Sequence, residues 1–180
     1  MVKKNKAIFL DRDGVVVKSI IRNKKGYAPL NLKEFKLMQN IKEPCKKLKK
    51  KGFLILIVTN QPDLGKKKIT NRDFEEMNKI LHKQINFDKL YVSKSHNLSS
   101  IFRKPNPGFM FLAKRKFNLD ASKSFMVGDR KSDIEAAKRF GCRSIFINRF
   151  YAEPKPKDQI RTVYSLKDAV NVILKEHEKK

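Results

Sequence analysis

The sequence has little of what would make it a disulfide-stapled or membrane-spanning protein. It contains two cysteines, Cys45 and Cys142, and neither has a cysteine partner at metal-ligand spacing. Both fall in apolar patterns, which predicts reduced thiols in the core. Long apolar runs are missing as well. The apolar residues, 40% of the chain, come in short blocks such as AIFL, FLILIV, SFMV and SIFI, too interrupted to span a membrane. The N-terminal MVKKNKAIFLDRDG lacks the longer apolar region and small-residue cleavage site of a secretory signal. It reads as the approach to a first core strand, and a cytoplasmic protein is expected. There is no internal repeat and no Gly/Ser- or Pro-rich linker, so the 180 residues are expected to form a single domain over 1–180.

Acidic residues are the other scarcity, 18 against 43 basic, for a formal charge of +25. That balance invites a nucleic-acid reading. The excess is mostly lysine, with ten arginines, and it is spread along the chain. Over Ile41 to Lys51 the residues Ile41, Cys45 and Leu48 share one helical face and lysines fill the rest, the pattern of a solvated face. Nucleic acid is therefore not the expected partner and stays open as an alternative.

What is present is an alternation of strand and helix signals. Ala7 to Leu10 is a buried strand ending at Asp11, followed by a long polar stretch to about Leu32. A helix over Ile41–Lys51 is stopped by Gly52. Phe53–Val58 is a continuous apolar run, as in a central parallel strand. Thr70 or Asn71 caps a helix to about Ile85 with Phe74, Met77, Ile80 and Leu81 inward. A strand at Lys89–Ser93 precedes a helix opened by Pro107 and carrying Phe109, Phe111 and Leu112. Ser124–Val127, a helix over Lys131–Phe140 ended by Gly141, and a strand at Ser144–Ile147 come next. A loop with Pro154 and Pro156 leads to a short strand near Val163 and a helix from Leu166. This order predicts an α/β fold, a parallel sheet with helices on both faces. Ligands in such sheets bind at the carboxyl ends of the strands.

The polar residues at those ends are the candidates for chemistry. Strand one ends in FLDRDG, where Asp11 and Asp13, two apart near a strand end, can turn to one side. Two close carboxylates repel unless a cation lies between them or one is protonated. Either condition is useful beside a phosphate: Mg²⁺ would hold Asp11 ionised, and a protonated Asp13 would supply a proton to a leaving alkoxide. An Asp-rich surface turn is the plain alternative. Strand two ends in IVTNQ. Thr59 offers a hydroxyl and a backbone N–H to a phosphoryl group, and Asn60 can orient a nucleophile or substrate, although Asn also simply starts turns. Arg103 and Lys104, before Pro105 and Pro107, are two stiffly held cations that would balance phosphoryl charge; surface charge is the alternative. Strand four ends in MVGDRKSD. Asp129 would complete a carboxylate site for Mg²⁺. Asp133, one turn on, would support it or simply favour the helix N-terminus.

Together FLDRDG, VTNQ, RKPNPG and MVGDRKSDIEAA resemble the haloacid dehalogenase superfamily, from about Ala7 to Ile147. More narrowly they resemble its branch of D-glycero-D-manno-heptose 1,7-bisphosphate phosphatases and histidinol-phosphate phosphatases. The resemblance implies a three-layer Rossmann-like sheet without a large cap. It implies a Mg²⁺-dependent phosphomonoester hydrolase, foremost a heptose bisphosphate 7-phosphatase, in carbohydrate metabolism and lipopolysaccharide precursor biosynthesis. Histidinol-phosphate phosphatase and nucleic-acid 3′-phosphatase are the alternatives, with a non-catalytic binding module behind them. In that pattern Asp11 attacks phosphorus and Asp13 protonates the leaving oxygen, then activates water. Mg²⁺ is held by Asp11, the backbone carbonyl of Asp13, and Asp129, with Asp133 beside them. Thr59 and Lys104 stabilise the phosphoryl group. Arg12, Lys24, Lys25, Gly26, Tyr27, Asn60, Gln61, Arg103 and Arg130 form the substrate-binding set, with Lys24, Lys25, Arg103 and Arg130 as candidates for a second phosphate.

Three departures from the family follow. The stretch YVSKSHNLSSIFRKP stands where many members carry a zinc loop with three cysteines and a histidine. His96 with several serines does not make a four-ligand site, so no zinc is expected. TNQPDLG has Pro62 where relatives have Ser, which should stiffen the turn. Extra residues precede Gly26-Tyr27. The expected partner is a small phosphorylated sugar or metabolite, and the expected state a monomer without membrane association.

Overall fold

The computed structural model describes residues 4–178, so Met1–Lys3 of the basic N-terminal tip and the last two lysines of the expected 1–180 domain lie outside the described residues. A six-stranded parallel sheet runs in the order β5-β4-β1-β6-β7-β8. Its strands are β1 Lys6–Leu10, β4 Phe53–Asn60, β5 Lys89–Ser93, β6 Phe125–Gly128, β7 Arg143–Ile147 and β8 Arg161–Val163. β1 lies between β4 and β6, with Phe9 opposite Leu56 on one side and Met126 on the other.

Burial on both faces explains the continuous apolar strands. Ile8 and Leu10 of β1 face a core built with α1 (Lys42–Lys50), α3 (Asn71–Ile85) and α6 (Leu166–Glu178). Ala7 and Phe9 face a second core built with α4 (Gly108–Phe117) and α5 (Lys131–Phe140). Each fully buried Leu, Ile or Phe here contributes about 1.5–3 kcal/mol of transfer free energy. Among the described residues no helix is long and apolar enough to cross a membrane.

The helices follow their signals with small shifts. Thr70 caps α3, its hydroxyl accepting from the Asp73 N–H at 3.0 Å. Pro107 is the cap before α4 and not its first residue. Gly141 ends α5 in the left-handed region at φ +86°. On α3 the inner face takes Asn78 and Ile85 with Phe74, Met77 and Leu81, while the expected Ile80 is only half-buried. Asn78 is drawn inward by the hydrogen bond it accepts from Arg12. Cys45 is buried in the first core and its thiol is pushed up to about 12 by burial. Cys142 is only partly buried, at the margin of the second core.

Two elements lie where the sequence reads as a polar stretch or a turn. Ile20–Arg22 (β2) and Lys25–Tyr27 (β3) form a hairpin. Its two turn residues, Asn23 and Lys24, both have positive φ, 48° and 57°, the two-residue turn that matches strand twist. Pro62–Gly65 is a short helix, α2. The polar stretch also hides Val15, Val16 and Val17, all fully buried beneath the hairpin's approach.

The chain leaves β1 toward β4 on one side and reaches β6 on the other. The crevice beyond the carboxyl end of β1 is thus the topological switch point of the sheet.

Candidate active site

Three strand tips meet at that crevice. Asp11 follows β1, Thr59 is the last residue but one of β4, and Asp129 follows β6. Asp133 joins them from the first turn of α5, and one carboxylate oxygen each of Asp11, Asp129 and Asp133 lie within 4.8 Å of one another. All three residues are buried, at 7%, 3% and 1% exposure. Among the described residues this is the one cluster of acidic, histidine or cysteine side chains with such geometry.

Lys104 compensates two of them directly. The Lys104 ammonium lies 2.5 Å from Asp11 Oδ1 and 2.6 Å from Asp133 Oδ1, and donates to the Val58 carbonyl at 2.7 Å. Burial works to lower its pKa, but the two carboxylates outweigh burial and raise it. Lys104 is held there by Asn60. The amide of Asn60 donates to the Lys104 carbonyl at 3.0 Å, and its oxygen accepts the Lys104 N–H at 3.1 Å. Asn60 thus fixes the loop that presents the lysine.

The compensation is incomplete at Asp129. Among the described residues neither of its buried carboxylate oxygens has a well-formed hydrogen bond, and Arg130 and the Tyr151 hydroxyl pull its pKa down without overcoming the opposing effects. Burial first, then Asp11 and Asp133, push its pKa well above the ordinary carboxylate range. Burial likewise raises Asp11 to about 7 against the pull of Lys104. A buried all-oxygen cluster with orphaned acceptors fits a hard divalent cation such as Mg²⁺. Gly14, at φ +88°, makes the approach possible: a Cβ there would overlap the Asp129 carboxylate.

In metal-free protein the native state keeps a proton on Asp11 up to about pH 7, whereas the unfolded chain gives it up near 3.8. Native protein binds more protons in that window, so stability is highest below it and falls as pH rises through it. Thermal melting without metal is expected to show that fall, and Mg²⁺ to flatten it. A metal-free melting temperature that climbs steadily across the window would contradict this account.

Asp13 is not a member of the carboxylate cluster. Its side chain accepts from Arg12 Nη1 at 2.7 Å and from Gln61 Nε2 at 2.5 Å. Its route to a metal is therefore the backbone carbonyl, the one expected from the resemblance. Arg12 and Gln61, expected among the substrate-binding residues, are buried and do not line the pocket over the cluster. Arg12 is fully buried, donating to Asn78 at 3.1 Å and lying over the Phe74 and Phe35 rings. That bond is why Asn78 faces inward. Gln61 is 1% exposed and also donates to Thr59 Oγ1 at 2.9 Å. Both hold Asp13 in place.

The cluster opens into a pocket of about 610 Å³. Asp11, Asp13, Thr59 and Lys104 form its floor, and Lys25, Gly26, Tyr27, Asn60, Arg103, Arg130 and Asp133 line it. Lys24 does not line it. Its φ of 57° places it in the hairpin turn, where its carbonyl accepts from the Ala152 N–H at 2.8 Å. Arg103 is anchored through Nη1 to the Ser95 carbonyl at 2.7 Å. In the segment with exposed His96, Arg103 and Asn106 donate to the carbonyls of Ser95 and Ser100 and so tie the loop down.

The loop after β7 was not legible as part of the site. Arg149 Nε donates to the Gly14 carbonyl at 2.7 Å. The Tyr151 ring packs on Gly26, where a Cβ would come within 2.5 Å of it. Glu153 lines the pocket beside Arg130. Phe150 between them has φ +59°, a strained region for a bulky residue that costs about 1–2 kcal/mol. No motif marks these residues; the two prolines in the loop were the only signal.

Known proteins resemble this chain in sequence and in fold. The HAD-hydrolase-like family model matches residues 101–161. The D-glycero-alpha-D-manno-heptose-1,7-bisphosphate 7-phosphatase of Burkholderia mallei is 33% identical over 151 residues, covering 77% of this chain and 77% of that protein. The D-glycero-beta-D-manno-heptose-1,7-bisphosphate 7-phosphatase of Escherichia coli K12 is 31% identical over 150 residues, covering 76% and 75%. Among solved structures, the D,D-heptose 1,7-bisphosphate phosphatase of B. bronchiseptica, complexed with magnesium and phosphate, shares the fold with a TM-score of 0.81. It is 20% identical and covers 95% of this chain and 99% of that one.

Proposed function

We propose, since this chain belongs to the D-glycero-D-manno-heptose 1,7-bisphosphate 7-phosphatase family of haloacid dehalogenase-like hydrolases, that it is a Mg²⁺-dependent phosphomonoesterase removing the 7-phosphate of a heptose 1,7-bisphosphate. The observation that carries the reading is the buried cluster of Asp11, Asp129 and Asp133, with Lys104 paired to Asp11 and Asp133, beside a polar pocket.

In the first half-reaction an Asp11 oxygen attacks phosphorus and the bond from phosphorus to the sugar oxygen breaks. Asp13, held by Arg12 and Gln61, gives its proton to that oxygen. In the second, Asp13 takes a proton from water as the water attacks phosphorus, and Asp11 is released with inorganic phosphate. Lys104 offsets the charge of Asp11 and of the transferring group. Because Thr59 Oγ1 already accepts from Gln61, its own proton is left to donate to a phosphoryl oxygen. Asp11, Asp129 and Asp133, with the Asp13 carbonyl, are the groups that would hold Mg²⁺. When bound it supplies the positive charge that keeps Asp11 ionised beside a phosphate dianion.

The test is Mg²⁺-dependent phosphate release from both anomers of heptose 1,7-bisphosphate, histidinol phosphate and a 3′-phosphorylated oligonucleotide. One heptose anomer is expected to give the highest kcat/KM, with chelator abolishing release. Preference for the oligonucleotide would mean that the +25 charge was the better guide to substrate.

A further inference from the structure

Four cations line the pocket, and they are not equally available. Lys104 is committed to Asp11 and Asp133. Arg130 is committed to Glu153: its Nη1 donates to both carboxylate oxygens, at 3.0 and 3.1 Å. Arg130 Nη2 also donates to the Gly26 carbonyl of the β2–β3 hairpin, and its guanidinium lies 5.7 Å from the centre of the Tyr151 ring. Arg103 and Lys25, by contrast, make no ion pair among the described residues. The carboxylate is held by a built loop. Arg149 is bonded to the Gly14 carbonyl, Ala152 N–H to the Lys24 carbonyl, and Phe150 N–H to Asn148 Oδ1 at 2.9 Å. These bonds hold Phe150 at its unfavourable φ and leave Glu153 facing the pocket beside Arg130.

From this we infer that Glu153 is a specificity-determining residue that masks Arg130, so that a substrate's second phosphate is received by Arg103 and Lys25 and not by Arg130. The inference rests on the sugar-phosphatase reading for its substrate. Its physical basis is charge counting: a second phosphate dianion near Arg130 meets a fixed carboxylate whose two oxygens already occupy that cation. Lysine at 25 and arginine at 103 have no acid to leave before binding an anion. Glu153 therefore limits how strongly a bisphosphate is preferred over the monophosphate of the same sugar.

The test is calorimetric binding in the Asp11→Asn background, where nothing turns over. The ligands are heptose 1,7-bisphosphate and heptose 7-phosphate, and the readout is the ratio of their dissociation constants. Glu153→Gln keeps the shape and removes the charge, and it should shift the ratio toward the bisphosphate by about five- to tenfold, the scale of one removed unit charge in a partly solvated pocket. The gain should shrink with added salt. It should also vanish when Arg130→Gln is added, because it acts through Arg130. A general loss of fold weakens both ligands and leaves the ratio where it was, which counts against the inference. A shift toward the monophosphate would overturn it in favour of Glu153 as a mere support that orients Arg130. Failure of the wild-type protein to release phosphate from any sugar would overturn the function and not this ratio.

Discussion

Asp11→Asn is expected to lower kcat by about 10⁴-fold or more, the scale of removing the group that forms the covalent bond. Its amide is neutral and a poor nucleophile, while its shape is nearly that of the carboxylate. The protein should not lose stability with the activity. In metal-free protein Asp11 is a buried acid raised to about 7 by desolvation, and a neutral amide removes one of three crowded carboxylates. The metal-free variant is therefore expected to melt at or above the wild-type temperature near neutral pH. Steady-state phosphate release and a melting curve on the same preparation check both halves. Retained turnover within tenfold of wild type would sink the nucleophile assignment.

Lys104→Met is expected to fail in the opposite way, losing both stability and rate. The methionine chain fills the volume of the lysine stem, but the ammonium that touches Asp11 and Asp133 is gone. Breaking a buried pair by removing one partner leaves uncompensated charge and costs about 3–5 kcal/mol. Because neighbouring carboxylates raise the lysine pKa, its contribution is fully present below the ordinary lysine value of 10.5 and is lost only as pH rises through the higher folded value. The destabilisation should thus be largest at and above about pH 7, where Asp11 gives up its proton, and be relieved at acid pH, where Asp11 is protonated. Mg²⁺ should restore part of the melting temperature and little of the rate. The expected loss in kcat is about 10²–10³-fold, that of one preorganised charge at a phosphoryl group. Urea melts at two pH values with and without Mg²⁺ decide this. A variant as stable as wild type at neutral pH without metal would show that Lys104 is not the counter-charge.

Both substitutions fall on residues whose place in the fold was readable from the sequence. Asp11, Thr59 and Asp129 were legible because each directly follows an apolar strand or lies near its end, and parallel sheets place such residues on one edge. Lys104 was legible as a stiffly presented cation between prolines. Arg12 inside D-R-D-G reads from the sequence as available for substrate, whereas in the structure aromatic rings and Asn78 enclose it. Asn60 and Gln61 were named for substrate. The structure gives their polar groups to Lys104, Asp13 and Thr59.

By itself the sequence determined the strand and helix alternation, the parallel sheet, and the acids and cation at the carboxyl ends of the strands. All of these are local patterns: apolar runs, caps and strand-end residues act within a few positions of each other. Only the tertiary structure decided which charges are spent and which are free. Asp13 is turned from the carboxylate cluster by Arg12, and Asp133 is drawn in beside Lys104. Arg130 is paired with a glutamate 23 residues away. The reason is that a hydrogen bond or ion pair depends on distances of about 3 Å between side chains. Such distances between residues far apart in the chain are set by packing, not by their neighbours in sequence.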